Sequence, residues 1–381
     1  MREQYDAIVV GLGGMGSATA YHLASRGQRV LGLERFGIPH SMGSSHGITR
    51  IIRLAYYEHP AYVPLLQRAF DLWRSLQTDF GEQLLFVTGS IDAGPPGGAV
   101  FEGSLESCRL HGLSHEVLNS AQVSDRFPAY RLPSDTAALF QPDGGFLLPE
   151  RCVVAHANAA RALGADLHTG EPVRGWEARG DGVRVWTDTA TYTAERLVLT
   201  VGAWARELVG PLLQGLAEPE RQVLIWLGIR RPELFTPARF PVFNVLVPEG
   251  RFYGFPEWSV PGFKFGKYHH LAEQVDPDSI DRVANAADEA ALRIFAERYF
   301  PDAAGATLDM QVCMFTNTPD EHFIVDVHPE YPQVSIAAGF SGHGFKFCSV
   351  IGEIMADLAL DGATCHNIDL FRLRRFAATP C

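Results

Sequence analysis

The chain has 381 residues, 46% hydrophobic and 20% charged, which is enough apolar mass for two domains of ordinary globular type. A formal net charge of −12 argues against nucleic acid or an anionic membrane as the main partner. The cysteines at 108, 152, 313, 348, 365 and 381 show no CxxC pair and no regular spacing, so neither a disulfide framework nor a metal site is expected.

The opening MREQYDAIVVG has no apolar core ahead of a small-residue cleavage site, and no apolar run is long enough to span a bilayer. The closing ATPC is not a peroxisomal tripeptide, so the expectation is a soluble, cytoplasmic protein. The stretch YDAIVVGLGGMGSATAYHLASRGQRVLGLER (5–35) reads as strand, helix and strand. Residues 7–10 form a buried-strand run, and Ala18, Ala20, Leu23 and Ala24 mark a helix that Gly27 stops. Residues 30–33 form a second strand ending at Glu34. Between strand and helix, Gly11, Gly13 and Gly16 have the G-x-G-x-x-G spacing of a dinucleotide site. Gly11 allows the tight turn, Gly13 lets a pyrophosphate approach the backbone, and Gly16 lets helix and strand pack closely. Glu34 stands where an acidic residue accepts from the adenosine ribose.

Further along, a polar glycine-rich segment (39–53) precedes an amphipathic helix over 60–78, and TGSIDAGPPGG (88–98) reads as strand then turn. ERLVLTVGAWA (195–205) is another buried strand ending at glycine. Residues 221–270, rich in aromatic and β-branched types, suggest an antiparallel sheet. VSIAAGFSGHGFKF (334–347) runs from strand into a glycine-rich turn, with a helix over 349–360. The pattern predicts an α/β fold in which a discontinuous nucleotide domain (1–87, 141–220 and 311–381) is interrupted by a sheet domain (88–140 and 221–310). Cys313 heads QVCMFTNTPDEHF (311–323), a loop-like run in which a solitary thiol has no second ligand nearby.

Five blocks in chain order resemble the sarcosine oxidase family of FAD-dependent amine oxidases. They are GSSHGITRIIR (43–53), YGFP (253–256), CMFTNTPDEHFIVDVHP (313–329), AAGFSGHGFKF (337–347) and FRLRRF (371–376). The resemblance covers nearly the whole chain and implies a Rossmann-like FAD domain of the D-amino-acid-oxidase type with an inserted antiparallel-sheet substrate domain. The activity it implies is oxidation of sarcosine or another N-methyl amino acid to an imine that hydrolyses, with dioxygen reduced to hydrogen peroxide. It further implies that Cys313 is bonded covalently to the flavin and that Arg53 and Lys346 hold the substrate carboxylate. Lys264 would activate oxygen, Arg50 and His46 would approach the flavin ring, and His269 and Tyr253 would stand near the substrate. Further FAD contacts are implied for Arg35, Ser45, Val173, Gly202, Gly342, His343, Gly344 and Phe345. The partners implied are a small amino acid and dioxygen, with the protein a monomer.

Residue chemistry agrees in part. An arginine fork suits a carboxylate, and a lysine closing SGHGFK is expensive to bury without an anion. Arg53 could equally pair with Glu58 on the surface. Set against the family pattern it resembles, the run after Gly266 is one residue longer, so the resemblance leaves Tyr268 or His270 as alternatives to His269. Phe315 stands where the family has tyrosine, so that wall lacks a hydroxyl. The other readings are an oxidase of a cyclic or bulky secondary amino acid (L-pipecolate, N-methyltryptophan) and a non-oxidase dinucleotide-binding redox protein. The 11–34 fingerprint alone also permits a nicotinamide dehydrogenase.

Overall fold

The computed structural model describes residues 4–377, so the first three residues, the ATPC end and Cys381 lie outside the described residues. Two eight-stranded sheets and a small three-stranded one carry the fold. In the first, Gln4–Val10 pairs in parallel with Val30–Glu34 on one side and Thr191–Leu199 on the other. Asp166–Thr169 and Val334–Ala338 extend it in parallel, and Val173–Arg179, Gly182–Thr187 and Ile324–Val327 join antiparallel. Alternation along the first strand explains its unbroken apolar run. Ala7 and Val9 pack with Ala20, Leu23, Ile351 and Met355 of the helices Gly14–Ser25 and Cys348–Asp361. Ile8 and Val10 pack with Val183, Val185 and Leu197 on the opposite face.

The second sheet runs in the order Thr307–Asn317, Glu218–Leu227, Phe263–Lys267, Gly250–Gly254, Val242–Val247, Ser90–Gly94, Ala137–Gln141, Glu116–Asn119. All pairings are antiparallel except that of Val242–Val247 with Ser90–Gly94. Period-two alternation again sorts the side chains. Val223, Ile225, Phe252, Phe263, Phe265 and Val312 bury against the helix Ala286–Tyr299. Their neighbours Leu224, Trp226, Tyr253, Lys264 and Cys313 share the other face. Arg50–Ile52, Gly145–Leu147 and Leu85–Val87 form the small sheet.

Two expectations are corrected. The domain boundaries drawn at 220/221 and 310/311 cut through Glu218–Leu227 and Thr307–Asn317, two strands that pair with each other in the second sheet. Cys313 is therefore inside a strand, opposite Gln222, and the loop begins only after Asn317. The polar composition of 316–321 hid a strand that runs as far as Asn317. The five described cysteines are free, and all but Cys365 are buried. Among the described residues, no helix is long and apolar enough to cross a membrane and no cluster could hold a metal ion.

Candidate active site

A long cleft enclosing about 1680 Å³ of space, open solvent included, is lined by residues of both large sheets. At one end lies the glycine turn. Gly11 adopts φ +83°, and a Cβ at Gly16 would stand 1.8 Å from the Gly11 carbonyl, so both glycines are required for strand and helix to meet. A Cβ at Gly13 would meet nothing nearer than Ser45 Oγ at 3.6 Å, which leaves that backbone open to the cleft. No side chain caps the helix Gly14–Ser25, though Gly14 N–H donates to Ser45 Oγ at 3.1 Å. Glu34 is buried, with its two oxygens accepting from the N–H of Leu12 (2.7 Å) and Phe36 (2.9 Å). Arg35 pairs with Asp278 at 2.8 Å and lies against Phe36 and Trp204, while Val173 and Gly202 line the same end. These features fit a dinucleotide: an open glycine backbone and free helix amides for its phosphates, and a fixed carboxylate for a ribose.

Ser44, Ser45 and Arg50 line the middle, with the Arg50 guanidinium donating to the carbonyls of Ser44 and Thr49. His46 is buried beside this wall, and burial with the nearby cations Arg50 and Lys264 holds its imidazole down at about 3, hence neutral. Its Nε2 is buried without a hydrogen-bond partner among the described residues, a polar position of the kind a polar ligand would fill. Gly342, His343, Gly344 and Phe345 line the cleft as expected. A Cβ on Gly342 would meet the Phe315 ring at 2.4 Å, so glycine is needed for the loop to pass that ring.

The far end is aromatic and cationic. Tyr253, Phe255, Tyr268 and Phe315 line it, with ring centroids 5.0 Å apart for Tyr253 and Tyr268 and 5.8 Å for Tyr268 and Phe315. Lys346 is buried there, its Nζ donating to the His343 carbonyl at 2.7 Å and to no other group among the described residues. Burial and the neighbouring Arg53 pull its ammonium down to about 7, against the pull of Glu58 and Asp92. His343 is itself neutral, held at about 4 by burial, between Tyr56 Oη at 2.6 Å and the Glu321 carbonyl at 2.9 Å.

Arg53, Lys264, Cys313, His46, His269 and Gly16 stand outside the cleft lining. The Arg53–Glu58 pair seen as a surface alternative does form, at 2.7 Å, but fully buried, with Asp92 at 3.7 Å and the rings of Tyr56 and Tyr57 on either side. Its charge is already matched within the protein. Lys264 donates to the Gly47 carbonyl, the Thr49 carbonyl and Thr49 Oγ1, with Phe255 4.2 Å away, and burial depresses its ammonium well below the ordinary lysine value. Burial raises the Cys313 thiol, while Arg50 and Lys264 favour its thiolate. The place expected for His269 belongs to Tyr268 instead. His269 turns away with φ +53° to face Glu220 and Glu321, and His270 pairs with Asp288 at 2.9 Å. The strand ends at Lys267, and in the turn that follows the left-handed backbone at His269 directs its side chain away from the cleft that Tyr268 lines. Arg251, Tyr56 and Tyr57 had no recognisable motif. Only the two-residue step from Arg251 to Tyr253 on one strand could have flagged the arginine.

Comparison with known proteins bears on this geometry. The family model for FAD dependent oxidoreductases matches residues 6–358. A monomeric sarcosine oxidase of Streptomyces avermitilis is 44% identical, with 100% of each chain covered. An N-methyl-L-tryptophan oxidase of Yersinia pestis is 35% identical, covering 98% of this chain and 99% of its own. Among solved structures, NikD, described as an unusual amino acid oxidase essential for nikkomycin biosynthesis, superimposes with a TM-score of 0.83 at 27% identity over 97% of both chains. With its glycine turn, fixed Glu34 and two-sheet cleft, the chain belongs to the FAD-dependent oxidoreductase family.

Proposed function

We propose that the protein oxidises a small amino acid bearing a secondary amine, sarcosine or another N-methyl amino acid, with dioxygen as electron acceptor, acting as a monomer. The observation that carries this reading is Lys346, a buried lysine at the aromatic end of the cleft whose remaining N–H donors have no acceptor among the described residues. A carboxylate arriving there supplies the missing acceptor and restores the ammonium that burial disfavours. Arg53 adds positive potential from behind, although Glu58 already matches its charge. Tyr253, Tyr268 and Phe315 wall the remaining volume, exclude water and offer ring faces to a methylated ammonium. Bound flavin supplies the two-electron redox chemistry. Lys264 is proposed to stabilise negative charge that develops on oxygen, held in place by Gly47 and Thr49. Cys313, whose thiol burial raises while Arg50 and Lys264 pull the other way, is proposed as the attachment point of the flavin.

Peroxide release should be measured with sarcosine, N-methyl-L-tryptophan and L-pipecolate. The proposal expects turnover of a small N-methyl amino acid that collapses in Lys346→Met while flavin stays bound, and equal rates in both proteins would overturn it. Intact-mass measurement should show a flavin-sized increment that is absent from Cys313→Ser. An increment surviving that change would place the bond elsewhere.

A further inference from the structure

His269 lies outside the cleft, yet it directly follows Tyr268, whose ring is part of the cleft wall. Its φ of +53° and that of Glu321, +59°, both fall in the left-handed region that side-chain-bearing residues rarely adopt. What holds them is one cluster. His269 Nδ1 lies 3.2 Å from both carboxylate oxygens of Glu220, and Nε2 lies 3.1 Å from Glu321 Oε1. An imidazole with a carboxylate at each nitrogen donates to both only when protonated. The two carboxylates come from different elements, Glu220 from Glu218–Leu227 and Glu321 from the turn after Thr307–Asn317. Neutral donors complete the set around Glu220: Gln222 Nε2, and Asn317 Nδ2 at 3.0 Å. From Gly250–Gly254, Arg251 reaches Glu321 at 3.5 Å and lays its guanidinium 3.8 Å from the centre of the Tyr268 ring. The contacts run from His269 through Glu321 and Arg251 to Tyr268, and close through the peptide bond joining Tyr268 to His269.

We infer that His269 is a positioning residue: as an imidazolium bridging Glu220 and Glu321, it fixes the Tyr268 wall of the substrate chamber. This rests on the amino-acid oxidase reading above. Without the ring's charge, the whole of Glu321's charge faces Arg251 and draws the guanidinium off the Tyr268 ring, leaving that wall loose. The hydrogen bonds to Glu220 and Glu321 raise the imidazole to about 9, against the effect of burial. The charged groups facing the ring are Glu220, Glu321 and, beyond Glu321, Arg251; the adjacent His270 is turned to Asp288. Because the folded value is raised, the clamp is complete below the ordinary imidazole value and is lost as pH rises through about 9.

The test uses flavin-loaded enzyme and methoxyacetate, an oxygen isostere of sarcosine with no amine to titrate, followed by the change in flavin absorbance. Three proteins are compared: wild type, His269→Asn, whose side chain tolerates left-handed backbone, and His269→Arg, which keeps a permanent charge. At about pH 7 the Asn form should bind about fivefold more weakly than wild type, and the gap should close by about pH 10. The Arg form should match wild type at the lower pH and bind more tightly than it at the higher one. Lys346 titrates alike in all three, so the ratios isolate His269. A ratio that stays constant with pH would show a merely structural role and overturn the inference, as would equal binding at the lower pH. If the Asn form fails to hold flavin, the Arg form and wild type carry the same comparison. Absence of methoxyacetate binding to wild type at any pH would instead overturn the amino-acid reading on which the inference rests.

Discussion

At the glycine end of the cleft the protein meets its ligand with backbone; at the aromatic end it does so with side chains, many of them charged and buried. Gly11, Gly13 and Gly16 act through what they lack, whereas Lys346, Lys264 and Arg53 act through groups that water would solvate better. The glycine end is rigid by sterics, and at Gly11 and Gly16 it has no room for an added methyl. The aromatic end is built on these buried charges, of which, among the described residues, only that of Arg53 is matched by carboxylates, so its failures should be electrostatic and depend on pH.

The sharpest break in this contrast is Gly16→Ala, because its new methyl would stand 1.8 Å from a backbone carbonyl that has no room to move. The expected loss is about 4 kcal/mol or more, with flavin content falling alongside stability. Thermal unfolding within about 1 kcal/mol of wild type would mean that helix and strand can separate there. Next is Arg53→Met, which leaves Glu58 and Asp92 as buried, unpaired carboxylates. Denaturant titration should show a loss of about 3–5 kcal/mol, partly regained by adding Glu58→Gln. A loss confined to carboxylate affinity, with stability intact, would instead make Arg53 a ligand-binding residue and little else.

Lys264→Met tests the role toward oxygen proposed for this lysine. Stopped-flow traces should show flavin reoxidation slowed about a hundredfold, or about 3 kcal/mol, with reduction by substrate much less affected. Equal slowing of both half-reactions would assign Lys264 to holding Gly47 and Thr49 in place. The smallest effect is a pH dependence. With Lys346 held at about 7, methoxyacetate affinity should be level below that value and fall about tenfold per unit above it. Lys346→Met should flatten the profile, while a slope surviving the substitution would belong to another group.

The difference between the two ends is also the difference between what could be read along the chain and what could not. The strand–turn–helix–strand unit lies within one short segment, and its tightest contact, Gly16 against the Gly11 carbonyl, is local, so residue spacing suffices to locate it. The apolar runs at 195–205 and 334–347 announced strands for the same reason, since strands covered on both faces need unbroken apolar sequence. Family resemblance named Lys264, Cys313 and Lys346, but it could not say that Lys264 is held by Thr49 and Gly47 or that Cys313 is mid-strand opposite Gln222.

Tertiary structure alone decided the rest. In the turn after Phe263–Lys267, Tyr268 faces the cleft while left-handed backbone at His269 turns the imidazole to Glu220 and Glu321 from other elements. Composition marks Arg53 and Glu58 only as opposite charges a short way apart; whether they form a solvated pair or a buried one depends on Tyr56, Tyr57 and Asp92 closing over them. The sequence by itself determined the nucleotide turn, because glycine sterics act between neighbours. The charge states of Lys346, His46 and His269 were decided by the tertiary structure, because desolvation and Coulomb forces act between groups that only the folded chain brings together.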